Sequence, residues 1–213
     1  MIQPSPEQPV YRRPFWISAL WLTIAIGLFA GIVLLMWSIL RPYTFHGMVL
    51  QSPMKAKNFT LTGHNGQPVS LKDFQGQIVL LYFGYTTCPD VCPTTLADLH
   101  QARLALGNRG KQIQVLMVTV DPARDTQQVL AEYMPHFDSS FIGLTGMSDQ
   151  IAEVATYYGI YYEQQAGNSA LGYLVNHTAT VMVIDKEGYL RLVFPFGTPS
   201  EDIKSDLDYL LNR

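Results

Sequence analysis

The sequence predicts an α/β protein with a central mixed β-sheet flanked by helices, preceded by one transmembrane helix. Two observations lead to this prediction. Residues 15–40 form an apolar stretch without a charged side chain. Beyond it, short apolar segments alternate with segments whose apolar residues recur at helical spacing, which is typical of α/β folds.

The uncharged stretch at residues 15–40 is long enough to cross a membrane. As a helix it would measure about 39 Å, more than the roughly 30 Å hydrocarbon core of a bilayer. A secretory signal peptide has a shorter apolar region and a small-residue cleavage site, and residues 38–43, SILRPY, offer no such site. We therefore expect an uncleaved anchor behind a short cytoplasmic leader, residues 1–14. Gly27 and Gly31 form a GxxxG pair, which could mediate helix dimerisation, although glycine is common in membrane helices; a homodimer is one candidate state.

The chain beyond the helix is predicted to be a tether, residues 41–56, and one folded domain, residues 57–213, because this length suits a single domain. Residues 42–213 carry 11 basic and 16 acidic residues, a formal charge of −5. This balance, without a basic stripe, argues against nucleic-acid binding.

Within this domain the pattern predicts strands and helices in alternation. Turn residues at Asn65-Gly66 and at Lys186-Glu187-Gly188 mark two hairpins, within residues 58–71 and 178–196. The continuous apolar segment 77–85 is typical of a buried strand. The other predicted elements are strands at 114–120 and 141–144, helices at 94–106, 126–134, 148–159 and 200–213, and a mobile loop at 164–177.

Cys88 and Cys92 are the two cysteines of the chain, and they follow the predicted strand 77–85 directly. They are four residues apart, so on a helix their sulfur atoms would share one face. Thioredoxin-like proteins carry a redox-active C-x-x-C pair at such a strand-to-helix junction, where the helix dipole favours the thiolate form. The pair is consistent with a redox dithiol, a shared metal ion or a structural disulfide, although so short a disulfide loop would constrain the unfolded chain little.

Three motifs stand out along the domain: GYTTCPDVCPTTL at residues 84–96, DPARDT at residues 121–126 and YLVNHTATVMVID at residues 173–185. In this order they resemble the Sco/SenC family of membrane-anchored copper proteins. The resemblance covers nearly the whole soluble domain and includes the single N-terminal membrane helix. It implies a thioredoxin-like domain that binds one copper ion per chain and helps to metallate the binuclear copper centre of cytochrome c oxidase.

The family's copper ligands correspond to Cys88, Cys92 and His177. Thiolates prefer Cu(I) and imidazole also accepts Cu(II), so three such ligands suit both oxidation states. The position of His177 before a strand and the motif around it favour this histidine. The alternatives are the four other histidines of the chain, His46, His64, His100 and His136.

Three aspartates near the motifs are predicted to support the site. Asp121 and Asp125 lie where a strand ends and a helix begins. Asp125, followed by Thr126, is well placed to cap that helix, and the alternative for both aspartates is to orient ligands or to engage a partner. Asp90, between the cysteines, is expected to face solvent or to meet a basic partner.

The resemblance implies a metallochaperone whose partners are the copper-bearing subunit of cytochrome c oxidase and a periplasmic copper donor or thiol reductant. The alternative is a membrane-anchored thiol-disulfide oxidoreductase that reduces the oxidase copper-site cysteines or another periplasmic dithiol. The sequence therefore leaves enzymatic activity open. Two cysteines and one histidine also describe a catalytic zinc site, but the sequence supplies no obvious general base for one.

The expected compartment follows from this function. Copper delivery to the oxidase takes place outside the cytoplasmic membrane or in the mitochondrial intermembrane space. The leader at residues 1–14 lacks the Arg- and Ser-rich character of a transit peptide. We therefore expect a single-pass protein of the bacterial inner membrane whose domain faces the periplasm.

Overall fold

The computed structural model describes residues 15–169 and 172–212, without the side chains of residues 15–18, 39 and 166–169. The chain divides into two compact units, one ending at Thr44 and the other beginning at Phe45. The first unit contains helix α1 (Phe15–Leu40). Its segment Ala19–Ser38 is long and apolar enough to cross a membrane.

The second unit contains the remaining helices and all described strands. The helices are α2 (Val91–Ala105), α3 (Gln127–Tyr133), α4 (Ser148–Tyr157) and α5 (Ser200–Leu211). The strands are β1 (Met48–Lys55), β2 (Thr60–Gly63), β3 (Pro68–Ser70), β4 (Ile78–Gly84), β5 (Ile113–Thr119), β6 (Ile142–Thr145), β7 (Tyr162–Ser169), β8 (Gly172–His177), β9 (Thr180–Ile184) and β10 (Tyr189–Pro195).

Eight of these strands form one mixed sheet, in the order β1-β10-β9-β4-β5-β6-β2-β3. Strands β4, β5 and β6 run parallel to one another, and the other neighbouring pairs are antiparallel. Strand β4 lies at the centre, and all seven of its residues are buried because strands flank it on both sides and helices cover the sheet. The predicted α/β architecture with a mixed sheet is confirmed.

The helices pack onto the sheet through apolar residues at helical spacing. Helix α2 buries Leu96 and Leu99, and the neighbouring helix α5 buries Ile203 and Leu207. Because α2 follows the carboxyl end of β4 after a short connection, this connection lies beyond the carboxyl ends of the parallel strands. The candidate site is built at that end of the sheet.

Both hairpins predicted from turn residues are present. Strands β2 and β3 pair around Gly66, and β9 and β10 pair around Gly188. Each glycine has a positive φ, 79° and 82° respectively, which side chains other than glycine rarely adopt.

The prediction of a loop at residues 164–177 is wrong for the described residues. Strands β7 and β8 form a separate two-stranded antiparallel sheet, in which Tyr162 is opposite His177 and Gln165 is opposite Leu174. The segment reads as a loop because β7 is polar and contains a glycine and a serine, so it shows no apolar alternation.

Strand β1 lies within residues 41–56, for which the sequence predicts a tether. It pairs with β10 at one edge of the main sheet, and its register shifts between Val49 and Met54, around Pro53. This shift hides the regular alternation by which a strand is predicted. At the opposite edge, strand β3 is three residues long and begins at Pro68.

Candidate metal centre

The two cysteines lie at the junction between β4 and α2. Cys88 is in the connection and is half-buried, whereas Cys92 is in the first turn of α2 and is buried; neither forms a disulfide. The end of β4 passes close to them at Gly84. A Cβ atom at this position would lie 2.7 Å from the ring of Tyr82 and 3.1 Å from Sγ of Cys92, so glycine is required for the close approach.

His177, the last residue of β8, brings its imidazole to the thiols. Its Nε2 lies 3.4 Å from Sγ of Cys92, and its ring is edge-on to those of Tyr82 and Tyr85. The other nitrogen, Nδ1, lies 3.3 Å from the carbonyl oxygen of Thr178. Because a carbonyl can only accept a hydrogen bond, Nδ1 carries the proton, and in the neutral ring the lone pair of Nε2 then faces the thiols.

The structure thus brings three predicted ligands together. One ligand atom from each of Cys88, Cys92 and His177 lies within 4.8 Å of the other two. Beside them is an open cavity of about 210 Å³, whose walls include Tyr85, Asp90 and the β8 residues Leu174 to His177. Two sulfur atoms and one imidazole nitrogen suit a soft metal ion, and the cavity leaves one side of the group accessible.

The two thiols differ in protonation. A hydrogen bond from the Cys92 thiol, supported by the backbone amides of Cys92 and Asp90, lowers the pKa of Cys88 to about 3. The pKa of Cys92 is raised, because its proton is shared with the Cys88 thiolate and because it is buried. At neutral pH the pair therefore holds one proton, on Cys92.

Asp125 stabilises the connection that carries the cysteines. Its buried carboxylate accepts hydrogen bonds from the backbone N–H of Thr86, at 3.0 Å, and from the hydroxyls of Thr86 and Thr119, both at 2.6 Å. It does not cap helix α3: the N-cap is Thr126, whose hydroxyl accepts from the N–H of Val129. The capping prediction for Asp125 is wrong because its side chain turns inward to the threonines, and burial raises its pKa.

Asp121 also turns inward, but toward strand β8. Its carboxylate accepts a hydrogen bond from the hydroxyl of Tyr173 at 2.7 Å and forms an ion pair with Arg124. Asp90 is exposed at the start of α2, where Thr94 donates a hydrogen bond to it at 3.4 Å. Of the three predicted supporting residues, Asp125 and Asp121 therefore act on the two segments that carry the ligands, and Asp90 faces solvent beside the cavity.

The remaining histidines lie away from the thiols and have partners of their own. They contact the Asp206 carboxylate (His46), the N–H of Gly143 (His64), the Asp138 carboxylate (His100) and the carbonyl of Tyr133 (His136).

Sequence reasoning missed the aromatic and basic residues around the centre. Tyr82 is buried beside Cys92, and burial raises its pKa, so its phenol stays neutral. The hydroxyl of Tyr85 accepts a hydrogen bond from the N–H of Val175 on β8. Arg124 lies in the DPARDT motif and Tyr173 in the YLVNHTATVMVID motif, so both residues could have been singled out from the sequence. Their contact could not be predicted, because no spacing rule pairs residues so far apart.

Comparison with known proteins places the chain in one family. The SCO1/SenC family model matches residues 49–212. The protein named SCO2 homolog, mitochondrial, from Bos taurus is 37% identical over 210 residues, covering 94% of this chain and 76% of that protein. The SCO1 homolog, mitochondrial, from Mus musculus is 36% identical over 138 residues, covering 64% of this chain and 49% of that protein. The chain thus spans about half the length of the mouse relative.

Solved structures show the same fold. The structure of Bradyrhizobium japonicum ScoI with copper bound is 32% identical, with a TM-score of 0.68, and covers 74% of this chain and 99% of that one. The thioredoxin domain of a Bacteroides vulgatus thiol-disulfide oxidoreductase, at 18% identity and a TM-score of 0.53, supports the thioredoxin-like fold alone. Since the family model matches most of the residues and the bovine relative is similar along nearly the whole sequence, the chain belongs to the SCO1/SenC family.

Proposed function

We propose that this protein is a membrane-anchored copper chaperone that binds one copper ion through Cys88, Cys92 and His177 and delivers it to the binuclear copper centre of cytochrome c oxidase. The observation that carries the proposal is the convergence of two sulfur atoms and one imidazole nitrogen within 4.8 Å. Thiolates select Cu(I), and the imidazole extends the site to Cu(II). The relative from Bradyrhizobium japonicum, solved with copper bound, supports this choice of metal.

The protonation of the site suits uptake of a cation. Cys88 is already a thiolate at neutral pH, because its pKa is lowered to about 3. Cys92 must release its proton when the metal binds, since only the thiolate is a ligand. The cavity of about 210 Å³ beside the ligands leaves room for a ligand atom of a partner to reach the copper ion. Copper then leaves by exchange of one ligand at a time.

The proposed location is the bacterial inner membrane. Residues 15–40 cross the bilayer once, residues 1–14 stay in the cytoplasm, and the folded unit that begins at Phe45 and includes β1 lies in the periplasm, so that only the first residues of the predicted tether at 41–56 connect it to α1. The partners are the copper-bearing oxidase subunit and a periplasmic copper donor or thiol reductant. The GxxxG pair on α1 could mediate a homodimer. A reporter fused after Arg213 should be active in the periplasm and remain with the membranes after a high-salt wash.

A second candidate function is thiol-disulfide exchange with the copper-site cysteines of the oxidase. The asymmetry of the thiol pair favours it: Cys88 is a half-exposed thiolate that could attack a disulfide, and Cys92 is a buried thiol that could resolve the mixed disulfide. Both functions need the same two cysteines. His177 separates them, since an imidazole serves a metal ion but is not required for dithiol exchange.

The ligand set is tested by measuring copper stoichiometry in the wild type and in Cys88→Ser, Cys92→Ser and His177→Ala. We expect one copper ion per wild-type chain and loss of tight binding in both cysteine variants. His177→Ala should weaken Cu(II) binding more than Cu(I) binding, because two thiolates suffice for Cu(I). His136→Ala, at an exposed histidine outside the site, is the matched control. Full copper retention in either cysteine variant would contradict the proposed ligands.

The two candidate functions are separated by the same His177→Ala variant. A chaperone should assemble less oxidase at limiting copper when the imidazole is missing, while the reduction potential of the cysteine pair stays nearly unchanged. Oxidase activity with and without added copper is compared with a thiol-exchange assay. If His177→Ala assembles normal oxidase at limiting copper while a cysteine variant abolishes it, the redox function is favoured.

A further inference from the structure

The strand that carries His177 stands apart from the main sheet. In the described part of the chain, β8 pairs with β7 alone. Side chains alternate along a strand, so Tyr173, Val175 and His177 share one face of β8. That face is turned toward the domain body, because Val175 is buried and His177 meets Cys92. The position of the imidazole therefore depends on what holds this face in place.

Three residues form a clamp on β8, defined here as Asp121, Arg124 and Tyr173. The guanidinium of Arg124 stacks over the Tyr173 ring, 3.7 Å from its centroid, and Arg124 Nη1 donates to the Tyr173 carbonyl at 3.0 Å. The Tyr173 hydroxyl donates to the Asp121 carboxylate at 2.7 Å. Asp121 is buried and pairs with Arg124. The clamp thus grips both the side chain and the backbone of β8.

The contacts within the clamp belong to two strong classes of non-covalent interaction. A hydrogen bond to a carboxylate is charge-assisted, and a guanidinium stacked on a ring adds a cation–π interaction. The next contact along this face is weaker, a single hydrogen bond of 3.3 Å from the Val175 N–H to the Tyr85 hydroxyl. His177 follows Tyr173 by four residues, about 13 Å along a strand. The clamp therefore fixes the end of this face opposite the imidazole.

We infer that Asp121, Arg124 and Tyr173 are positioning residues, whose clamp on β8 keeps the imidazole of His177 beside the two thiols. When the clamp opens, the Tyr173 end of β8 moves outward and the face that carries His177 loosens, so Nε2 is held less closely beside the sulfur atoms. The consequence for copper rests on the proposed function: the ion loses its nitrogen ligand and stays on two thiolates, which favours Cu(I). The clamp thereby regulates which oxidation state the site retains.

The first test uses the metal-free, reduced, full-length protein in detergent and needs no copper. Diethyl pyrocarbonate modifies accessible imidazoles, and peptide mass spectrometry gives the rate at His177. We expect a rate about fivefold higher in Tyr173→Phe, which loses one hydrogen bond, and a larger increase in Tyr173→Ala, which also loses the ring. Arg124→Lys keeps the charge but not the planar stacking, and should also raise the rate.

The matched control is Tyr161→Phe. Tyr161 donates to the Glu163 carboxylate at 2.7 Å, the same length as the bond in the clamp, but at an exposed position preceding β7. Its loss should leave the rate at His177 unchanged. The exposed His136 reports general unfolding within the same samples. If Tyr173→Ala folds poorly, Tyr173→Phe and Arg124→Lys still carry the test.

The second test loads the same variants with Cu(II) and Cu(I). We expect weaker nitrogen hyperfine coupling in the Cu(II) resonance spectrum of the clamp variants, and about fivefold weaker Cu(II) binding with Cu(I) binding unchanged. If His177 in metal-free Tyr173→Ala and Tyr173→Phe is modified by diethyl pyrocarbonate at the wild-type rate, the proposed clamp is wrong. If the modification rate rises but the Cu(II) spectrum does not change, the clamp stands and the assignment of His177 as a copper ligand is wrong.

Discussion

The two halves of the metal centre are supported differently. The thiols follow β4, a strand buried at all seven positions and flanked by β5 and β9. His177 lies on β8, a strand of a two-stranded sheet on which Val175 is the buried residue. Under the proposed function, this difference would keep the pair of sulfur ligands constant while the nitrogen ligand could be gained or lost. The core fixes the first half, and a few side-chain contacts place the second.

The largest expected effect compares the two strands directly. Leu81 on β4 is fully buried, so Leu81→Ala should lower the free energy of unfolding by about 2–5 kcal/mol. Leu174 on β8 is half-buried, and Leu174→Ala should cost about 1 kcal/mol or less. Equilibrium urea unfolding of the full-length protein in detergent measures both. Equal losses would show that β8 is as much a part of the core as β4.

The next prediction concerns the close approach at Gly84. A Cβ atom there would collide with the Tyr82 ring and press on Cys92, so Gly84→Ala should destabilise the domain by about 1–3 kcal/mol and change the reactivity of the thiols. The matched control is Gly143→Ala, whose Cβ would lie 2.9 Å from Cγ of Met134, away from the thiols. It should destabilise similarly but leave cysteine alkylation unchanged. If cysteine alkylation changed in both variants, the change could not be attributed to the close approach at Gly84.

A third prediction concerns the ionisation of the thiols. The pKa of Cys88 is lowered to about 3 by the hydrogen bond from Cys92, so the rate of its alkylation by iodoacetamide should be nearly constant between about pH 5 and pH 8. Cys92→Ala removes the donor, raises the pKa of Cys88 and should make the rate increase with pH. Cys92→Ser keeps a donor and should resemble the wild type. A wild-type rate that increases up to about pH 8.5 would contradict this asymmetry.

The smallest expected effect lies outside both halves, at His46. Its Nδ1 is 3.0 Å from the buried carboxylate of Asp206, and Asp202 also faces the ring. The hydrogen bond to Asp206 raises the pKa of His46 above its usual 6.5. The stabilisation from the charged ring is therefore fully present below about pH 6.5 and lost as the pH rises through the raised pKa.

His46→Gln tests this pH dependence. The variant should lower the melting temperature relative to the wild type more at about pH 5.5 than at about pH 8.5, since the wild-type ring is neutral at the higher pH. Calorimetry at both values measures the difference, and copper stoichiometry should not change. A larger decrease in melting temperature at about pH 8.5 than at about pH 5.5 would contradict the stabilisation assigned to the charged His46 ring.

The buried and local features of the molecule were predictable from sequence. The continuous apolar segment gave β4, and paired turn residues gave the β9–β10 hairpin. The role of Cys88 and Cys92 as a reactive pair was predictable from their position directly after β4. The β7–β8 sheet was not predictable, because the polar residues of β7 lack alternation and the strands are held by backbone pairing. Contacts such as Arg124 with Tyr173, 49 residues apart, arise only from the tertiary fold.

Neither edge of the eight-stranded sheet is long and regular, and this affects how copies of a membrane-anchored protein meet one another. Strand β1 shifts register around Pro53, which has no N–H to donate, and strand β3 is three residues long. A long regular edge would offer unpaired backbone groups to a strand of another chain. Copies anchored in one bilayer diffuse in two dimensions and collide often. Irregular or short edge strands of this kind disfavour edge-to-edge pairing between such copies.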